Sequence, residues 1–161
     1  MISVTGREAD SVSGAQVDAV MRASRALVGI AAASVAAVDD LVTLPQLRVL
    51  MMIATQGPLS LGAVASGLDV GAPSASRICD RLLKAGFLDR RDDPDDRRSI
   101  VLTLTADGRS IVERVNRHRR TAVRRVLRNL AAGDRERLTV ALEAFAEAAG
   151  EPLERDDLTL T

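Results

Sequence analysis

The residues best suited to chemistry lie between Pro73 and Lys84, in the segment PSASRICDRLLK. In a helix, Ser74, Arg77 and Arg81 would share one face, because they are spaced three and four positions apart. A guanidinium donates paired hydrogen bonds to guanine or to a phosphate, and a serine hydroxyl can contact either group. The spacing therefore indicates a polar helix face that could bind a nucleic acid.

Neighbouring positions in this segment suit different kinds of contact. We assign Arg77 and Ser76 to base contacts, which give specificity, and Lys84 to phosphate contacts, which position a protein on DNA. Ile78 and Leu82 fall on another face of the helix and are predicted to pack into the core.

A second basic group, Arg90, Arg91, Arg97 and Arg98, surrounds the polar sequence DDPDD. The flanking segments 87–91 and 99–105 are predicted strands, since apolar residues in the second alternate with a period of two. A hairpin tip that carries arginines fits the minor groove, where the potential is most negative. We assign Arg90 and Arg97 mainly to positioning. The four aspartates of the turn offset these arginines, so DNA contact and simple solvation remain equally open for the hairpin.

Charge is distributed unevenly, although the formal net charge is zero. Counts of Arg, Lys, Asp and Glu give a net −2 for residues 1–70, +7 for residues 71–128 and −5 for residues 129–161. A basic middle region is the local footprint expected of a polyanion partner. With two Phe and neither Tyr nor Trp, the chain offers no stacking surface for single strands, so the predicted partner is double-stranded DNA.

These residues need a scaffold, and the apolar periodicity predicts one that is mainly α-helical with a small β-hairpin. Helices are predicted over residues 15–38, 44–55, 61–67, 73–85 and 106–131, with a last helix that is capped at Gly133-Asp134 and ends near 149. The third and fourth helices are joined by a short turn at Gly71 and followed by the hairpin. This order is typical of a winged helix-turn-helix.

The segment SASRICDRLLKAGFLDRRDDPDDRRSIVLTLTADG resembles the recognition helix and wing of the MarR family of bacterial regulators. The preceding segment TLPQLRVLMMIATQGPLSLGAVASGLDV resembles the family's second helix and first helix-turn-helix helix, so the match covers about residues 41–108. Its most specific part is Asp-Arg-Leu, followed by Gly-Phe-Leu and then Asp-Arg-Arg. Gly71 stands where the family often has a serine cap.

The resemblance implies a homodimer that binds a pseudo-palindromic operator and represses transcription until a small-molecule ligand releases it. The absence of Tyr and Trp, which often line the family's ligand pocket, argues against an aromatic effector but not against a small hydrophobic one. The resemblance also implies base contacts from Ser76 and Arg77, a wing tip at Arg97, and a structural brace between Asp80 and Arg98. The alternative is a winged-helix module that binds protein and has lost DNA binding.

The same comparison divides the chain into functional parts. They are a flexible N-terminus (1–14), an N-terminal dimerisation helix (15–40), a winged helix-turn-helix DNA-binding domain (41–105), C-terminal dimerisation helices (106–149) and an acidic tail (150–161). The apolar stretch Leu27–Val38 has about half of the ~20 residues that a membrane span needs, so we interpret it as part of a buried helix. With no signal sequence visible and one cysteine, we expect a cytoplasmic protein that does not contact membranes.

The other reactive side chains do not indicate a functional site. We interpret Cys79 as a small core or boundary residue, and His118 as solvated surface, because a lone histidine without nearby cysteines does not make a usual zinc site. The arginines of residues 117–128 spread around their helix and are expected to meet the acidic last helix and tail of either chain. No catalytic triad, phosphate loop or metal-spaced cluster is present, so we predict neither an enzyme nor a cofactor or metal.

Overall fold

The computed structural model describes residues 11–92 and 99–150. Within them, six α-helices accompany one two-stranded antiparallel sheet. The elements are α1 (Gly14–Val35), α2 (Leu44–Gln56), α3 (Leu61–Leu68), α4 (Ala72–Lys84), β1 (Leu88–Asp92), β2 (Ile100–Leu104), α5 (Ala106–Arg128) and α6 (Ala132–Ala148), with a 3-10 turn (Ala36–Val38) after α1. This order confirms the predicted fold class, a mainly helical chain with a β-hairpin wing.

Short polar residues set the helix starts. The Ser60 hydroxyl accepts a hydrogen bond from the Ala63 amide and begins α3, and Thr105 caps α5 in the same way. At the start of α2, the Thr43 amide donates to Gln46 Oε1 at 2.8 Å. The predicted cap at Gly133-Asp134 is wrong, because α6 begins at Ala132 and Asp134 lies inside its first turn.

The core lies between α2, α3, α4, α5 and the hairpin. Its largest fully buried side chains are aliphatic, as the composition requires: Val38, Leu47, Val49, Leu50, Val64, Leu82 and Val115. Leu82 is therefore in the core as predicted, whereas Ile78 is only half-buried at its edge.

Two backbone hydrogen bonds join the chain before α3 to strand β2 of the hairpin. The Leu102 amide donates to the Leu59 carbonyl at 2.8 Å, and the Leu59 amide donates back at 3.2 Å. Leu59 thus acts as a one-residue third strand beside β2. This contact fixes the wing relative to the helix-turn-helix.

The hairpin is also fixed to α5. Gly108, in the first turn of α5, lies so close to the Phe87 carbonyl that an added Cβ would come within 2.0 Å of its oxygen. The Thr105 hydroxyl donates to the Gly86 carbonyl at 2.7 Å, and the Thr105 amide donates to the Phe87 carbonyl at 3.2 Å. The end of α4, the wing and α5 consequently meet at one tight joint.

The flanking helices leave their apolar faces uncovered within this chain. Leu27 and Val28 of α1 are 51% and 63% exposed, and Phe145 of α6 is 54% exposed. No residue of α6 is buried. The interpretation of Leu27–Val38 as a buried helix is therefore wrong for a single chain, in which Ser34 and Val38 are the buried members of that stretch.

The N-terminal helix agrees with the predicted helix over residues 15–38. With the 3-10 turn it runs from Gly14 to Val38, which by length and composition alone is enough to cross a membrane. Apolar helices of soluble proteins that pack against other helices can have the same length and composition. These two properties therefore do not show that the helix crosses a membrane.

Candidate nucleic-acid interface

Helix α4 is amphipathic, and its burial pattern shows which face is exposed and can contact a ligand. Ala75, Cys79 and Leu82 pack into the core. The opposite side carries the predicted contact residues: Arg77, Arg81 and Lys84 are exposed, whereas Ser74 and Ser76 are half-buried. The structure thus places Arg77, Arg81 and Lys84 on one outward face of the helix, with Ser74 and Ser76 at its two opposite edges.

The turn between α3 and α4 sets the angle at which that face is presented. Asp69 ends α3 in the left-handed region (φ 56°, ψ 49°), which Asp adopts more readily than most residues. The Val70 amide then donates to the Ala65 carbonyl at 3.1 Å. Gly71 is the N-cap of α4 and supplies no side-chain cap, so the first amides of α4 have no side-chain oxygen from that position.

Gly67 of α3 lies against the flexible end of the Met52 side chain of α2. A Cβ at this position would come within 2.1 Å of the Met52 side chain. The Gly67 carbonyl also accepts a hydrogen bond from the Arg48 guanidinium at 3.4 Å. These contacts hold α3 against α2, and α3 in turn supports α4.

Arg77 is partly oriented by its own helix. Its Nε donates to the Pro73 carbonyl, one turn earlier, at 3.2 Å. This bond directs the guanidinium along the outer face of α4 towards the start of the helix. Among residues 11–92 and 99–150, no hydrogen bond or ion pair engages its terminal amino groups, which are the groups that would donate to a guanine edge.

Asp80 joins α4 to the wing. Its Oδ1 accepts a hydrogen bond from Arg90 Nη2 of β1 at 3.0 Å, and its Oδ2 accepts one from the Ser76 hydroxyl at 3.4 Å. Arg90 and Ser76, which we predicted to contact DNA, are therefore both tied to one carboxylate. The Arg90 and Asp80 side chains remain 58% and 45% exposed, so solvent screens the pair.

The arginine that contacts Asp80 in the described residues is Arg90, whereas the predicted brace names Arg98. Arg97 and Arg98 lie outside the described residues, so the pair of Asp80 with Arg98 stays a prediction. Sequence reasoning missed Arg90 as a partner of Asp80. Strand periodicity places Arg90 on the same side of β1 as the buried Leu88, because the two residues are two positions apart, but it does not identify Asp80 as the partner.

The described part of the wing contains further charge pairing. Arg91 Nε lies 3.7 Å from Asp89 Oδ2, and the Asp89 carboxylate also accepts the Arg90 amide at 2.9 Å. Both side chains of the pair are more than half exposed. The wing therefore presents arginine side chains among carboxylates that already compensate part of their charge.

Cys79 lies behind this interface with only 2% of its surface exposed. Burial, and then the neighbouring Asp80 carboxylate, raise the pKa of its thiol, while Arg90 acts in the opposite direction. The position confirms the expected core role of this residue. A buried thiol with a raised pKa is a poor nucleophile.

Comparison with known proteins identifies this architecture. The model of the MarR family matches residues 42–100, from the approach to α2 to the start of β2. The crystal structure of RV1404 from Mycobacterium tuberculosis is 40% identical, with a TM-score of 0.73 and coverage of 90% of this chain and 100% of that one. An HTH-type transcriptional regulator of Mycobacterium leprae is 30% identical over 110 residues, which are 68% of this chain and 77% of the relative.

More distant structures share the fold. A mutant MepR from S. aureus, bound to an oligodeoxyribonucleotide, is 16% identical with a TM-score of 0.57, and the match covers 86% of this chain and 99% of that one. The alignments span between 47% and 77% of the length of the curated relatives that the chain matches.

Proposed function

Because the chain belongs to the MarR family of transcriptional regulators, we propose that it binds a pseudo-palindromic operator as a homodimer and represses transcription. The observation that carries this proposal is the outward face of α4, where Arg77, Arg81 and Lys84 are exposed and the half-buried Ser74 and Ser76 lie at the edges. In a helix-turn-helix the second helix lies in the major groove. The DNA complex of MepR supports the proposal as an example of the same fold on DNA.

The residues of α4 have different roles in this proposal. Arg77 lies near the N-terminal end of the helix, where base edges are read, and its terminal amino groups can form the paired bonds that guanine accepts. Ser76 is the second base reader. Arg81 and Lys84 lie further along the helix, where the groove edge places phosphates within reach of long side chains.

The wing contributes positioning. Arg90 is held beside α4 by Asp80, which places its charge next to the helix face that enters the major groove. Arg97 and Arg98, at the wing tip, would extend the contact into the adjacent minor groove, where arginine is favoured. The brace of Asp80 with Arg98 would then share the carboxylate that Arg90 occupies.

Dimerisation explains the uncovered apolar faces of the flanking helices. Val17, Met21 and Val28 of α1 and Val140 and Phe145 of α6 are each 49% or more exposed. Exposed large apolar residues on both flanking helices indicate surfaces that another protein covers. We therefore retain residues 15–40 and 106–149 as the dimerisation part and residues 41–105 as the DNA-binding part.

Packing against a second copy of the chain also explains the exposed apolar residues of α1 better than insertion into a membrane does. Isologous packing of α1 and α6 would cover the apolar residues and leave the charged residues of both helices in water. On this proposal the protein works in the cytoplasm, where its DNA is, and is a regulator rather than an enzyme. Two-fold symmetry then predicts half-sites about one helical turn, roughly 34–36 Å, apart.

Binding to the DNA upstream of the protein's own gene tests the proposal. Fluorescence anisotropy across a salt series, with a shuffled duplex of equal length as control, measures both affinity and specificity. We expect tight binding to one inverted repeat, weaker binding to the control, and affinities that fall steeply as salt rises. Equal affinities for both duplexes would remove the sequence-specific part of the proposal, and no binding to either would favour the protein-interaction alternative.

A further inference from the structure

Helix α5 carries a row of arginines on the side that faces away from the core. Arg117, Arg124 and Arg128 are exposed and follow one another at intervals of seven and four residues, which places them in one stripe, the basic stripe. At about 100° per residue, this stripe lies about 160° around the helix from the buried Val115. Arginines do occur around the whole helix, since the half-buried Arg119 lies towards the core side, but these three form a single outward row.

Helix α6 carries the opposite charge in the same pattern. Glu136, Glu143 and Glu147 are exposed and are also separated by seven and four residues, which defines an acidic stripe. This stripe lies roughly 170° around α6 from the apolar side that carries Leu138 and Phe145. Since an α-helix rises about 1.5 Å per residue, each stripe is about 16 Å long. The two stripes therefore match in spacing and length and are opposite in charge.

Neither stripe forms an ion pair within its own chain among residues 11–92 and 99–150. The ion pairs found there lie at α4 and the wing and between Asp134 and Arg137 of α6. Helix α5 packs against α1 and α2, whereas α6 has no buried residue and does not pack along α5. Like charges four residues apart on a helix are destabilising, and each stripe contains such a pair. Both stripes are therefore stabilised by a partner of opposite charge from outside the chain.

We propose that the acidic stripe of α6 in one dimer binds the basic stripe of α5 in another dimer, so that two dimers associate into a tetramer. This second contact rests on the dimer of the proposed function. In that dimer the apolar side of α6 faces the other subunit, so the acidic stripe on the opposite side points outward. When each dimer contributes α5 to the other's α6, the contact is reciprocal and closes at a tetramer instead of growing into a filament.

The chemistry of the contact sets its strength. Guanidinium–carboxylate hydrogen bonds are charge-assisted and can be bidentate. Val140, which is 68% exposed and borders the acidic stripe, can pack against the aliphatic parts of the arginine side chains. Exposed ion pairs are individually weak and are screened by salt, so we expect the tetramer at low ionic strength. Dimers bound at neighbouring operators would be held at a high effective concentration, which favours the same contact on DNA.

Sedimentation equilibrium of the full-length protein without DNA tests the contact. We expect dimers and tetramers at about 50 mM NaCl and only dimers at about 500 mM NaCl. The double variant Arg124→Glu with Arg128→Glu should remain a dimer and form tetramers at least tenfold more weakly. The double variant Glu143→Arg with Glu147→Arg should behave in the same way. An equimolar mixture of the two should form tetramers again, because every acidic stripe then meets a basic one.

The control is the double variant Arg114→Glu with Arg125→Glu, which makes the same charge change on α5 outside the basic stripe. It should associate like the wild type, and circular dichroism checks that every variant is helical. Wild-type dimers that form no tetramers at low salt would overturn the second contact and leave the proposed dimer intact. Charge-reversal variants that fall apart into monomers would overturn it as well, because the stripes would then pair inside the dimer. Equal weakening by the control would show that net charge, and not the stripe, controls association.

Discussion

The carboxylate of Asp80, on the recognition helix α4, accepts a hydrogen bond from the Arg90 guanidinium of β1 at 3.0 Å. The same carboxylate accepts the Ser76 hydroxyl at its other oxygen. One acidic residue therefore holds two side chains that are proposed to contact DNA. Because both partners of the ion pair are about half exposed, the pair orients the two side chains more than it stabilises the fold.

The first prediction concerns that carboxylate. Asp80→Asn keeps the size of the side chain but removes its charge, so Arg90 is released to contact any phosphate. We expect the ratio of operator affinity to shuffled-duplex affinity to fall, while the free energy of unfolding changes by less than about 1 kcal/mol. Anisotropy with both duplexes and urea denaturation measure the two quantities. Asp89→Asn, on the neighbouring wing pair, is the matched control, and an equal loss of specificity there would refute the role given to Asp80.

The second prediction separates the reading of bases from contact with phosphates. Arg77→Ala should cost about 1–3 kcal/mol of operator binding and relax preference at one base pair of each half-site. Lys84→Ala should weaken binding to operator and shuffled duplexes alike and reduce the salt slope. Both side chains are exposed, so neither change should alter folding. Wild-type operator affinity in Arg77→Ala would show that this residue is not the base reader.

Local signals were enough to predict much of this structure. The ends of α2, α3 and α4 lie within a residue or two of their predicted positions, because Thr43, Ser60 and Gly86 act on the adjacent backbone and nowhere else. Alternating apolar residues likewise located β2. The start of α6 was misplaced because Asp134 suits both a cap and a first helical turn.

Contacts between distant segments could not be predicted in this way. The bridge from Leu59 to Leu102 involves a single residue on one side, which is too short to leave a period in the sequence. The pair of Asp80 with Arg90 depends on how β1 is placed against α4, and four arginines were available for it. The exposure of α1 likewise depends on packing partners, which an apolar pattern alone does not identify.

The third prediction tests the joint between the wing and α5. Gly108→Ala should destabilise the protein by about 1–3 kcal/mol, because the new methyl group would meet the Phe87 carbonyl oxygen, a backbone atom that cannot rotate away. Gly133→Ala in α6 has nothing within 4 Å and should be neutral or slightly stabilising. Thermal unfolding at one protein concentration compares them. A Gly108→Ala protein as stable as Gly133→Ala would mean that the joint is loose.

The fourth prediction tests the dimer. Val20→Asp places a charge on the apolar face of α1 and should shift the protein towards monomers, as measured by sedimentation equilibrium. Arg22→Asp introduces the same side chain two residues later, about 200° around the helix, and should leave the dimer intact. Circular dichroism checks that both remain helical. Monomeric wild type, or equal dissociation of the two variants, would contradict the proposed interface.

The fifth prediction follows from the buried thiol of Cys79. Because burial raises its pKa above the ordinary value of 9.0, the folded state holds this proton more tightly than the unfolded state does. The associated stability is complete below about pH 9 and is lost as the pH rises through the higher pKa of the folded thiol. Few other groups titrate there, since the chain has no Tyr and its only Lys is Lys84.

The measurement for Cys79 is the free energy of unfolding from pH 7 to about pH 10 in the wild type and in Cys79→Ala. The variant should be less stable at neutral pH because it leaves a small cavity, but its stability should fall less at alkaline pH. Iodoacetamide provides an independent readout, since the native thiol should react far more slowly than the thiol in denaturant. Rapid alkylation of the native protein, together with equal alkaline slopes, would show that the thiol is accessible and would reopen a redox role for α4.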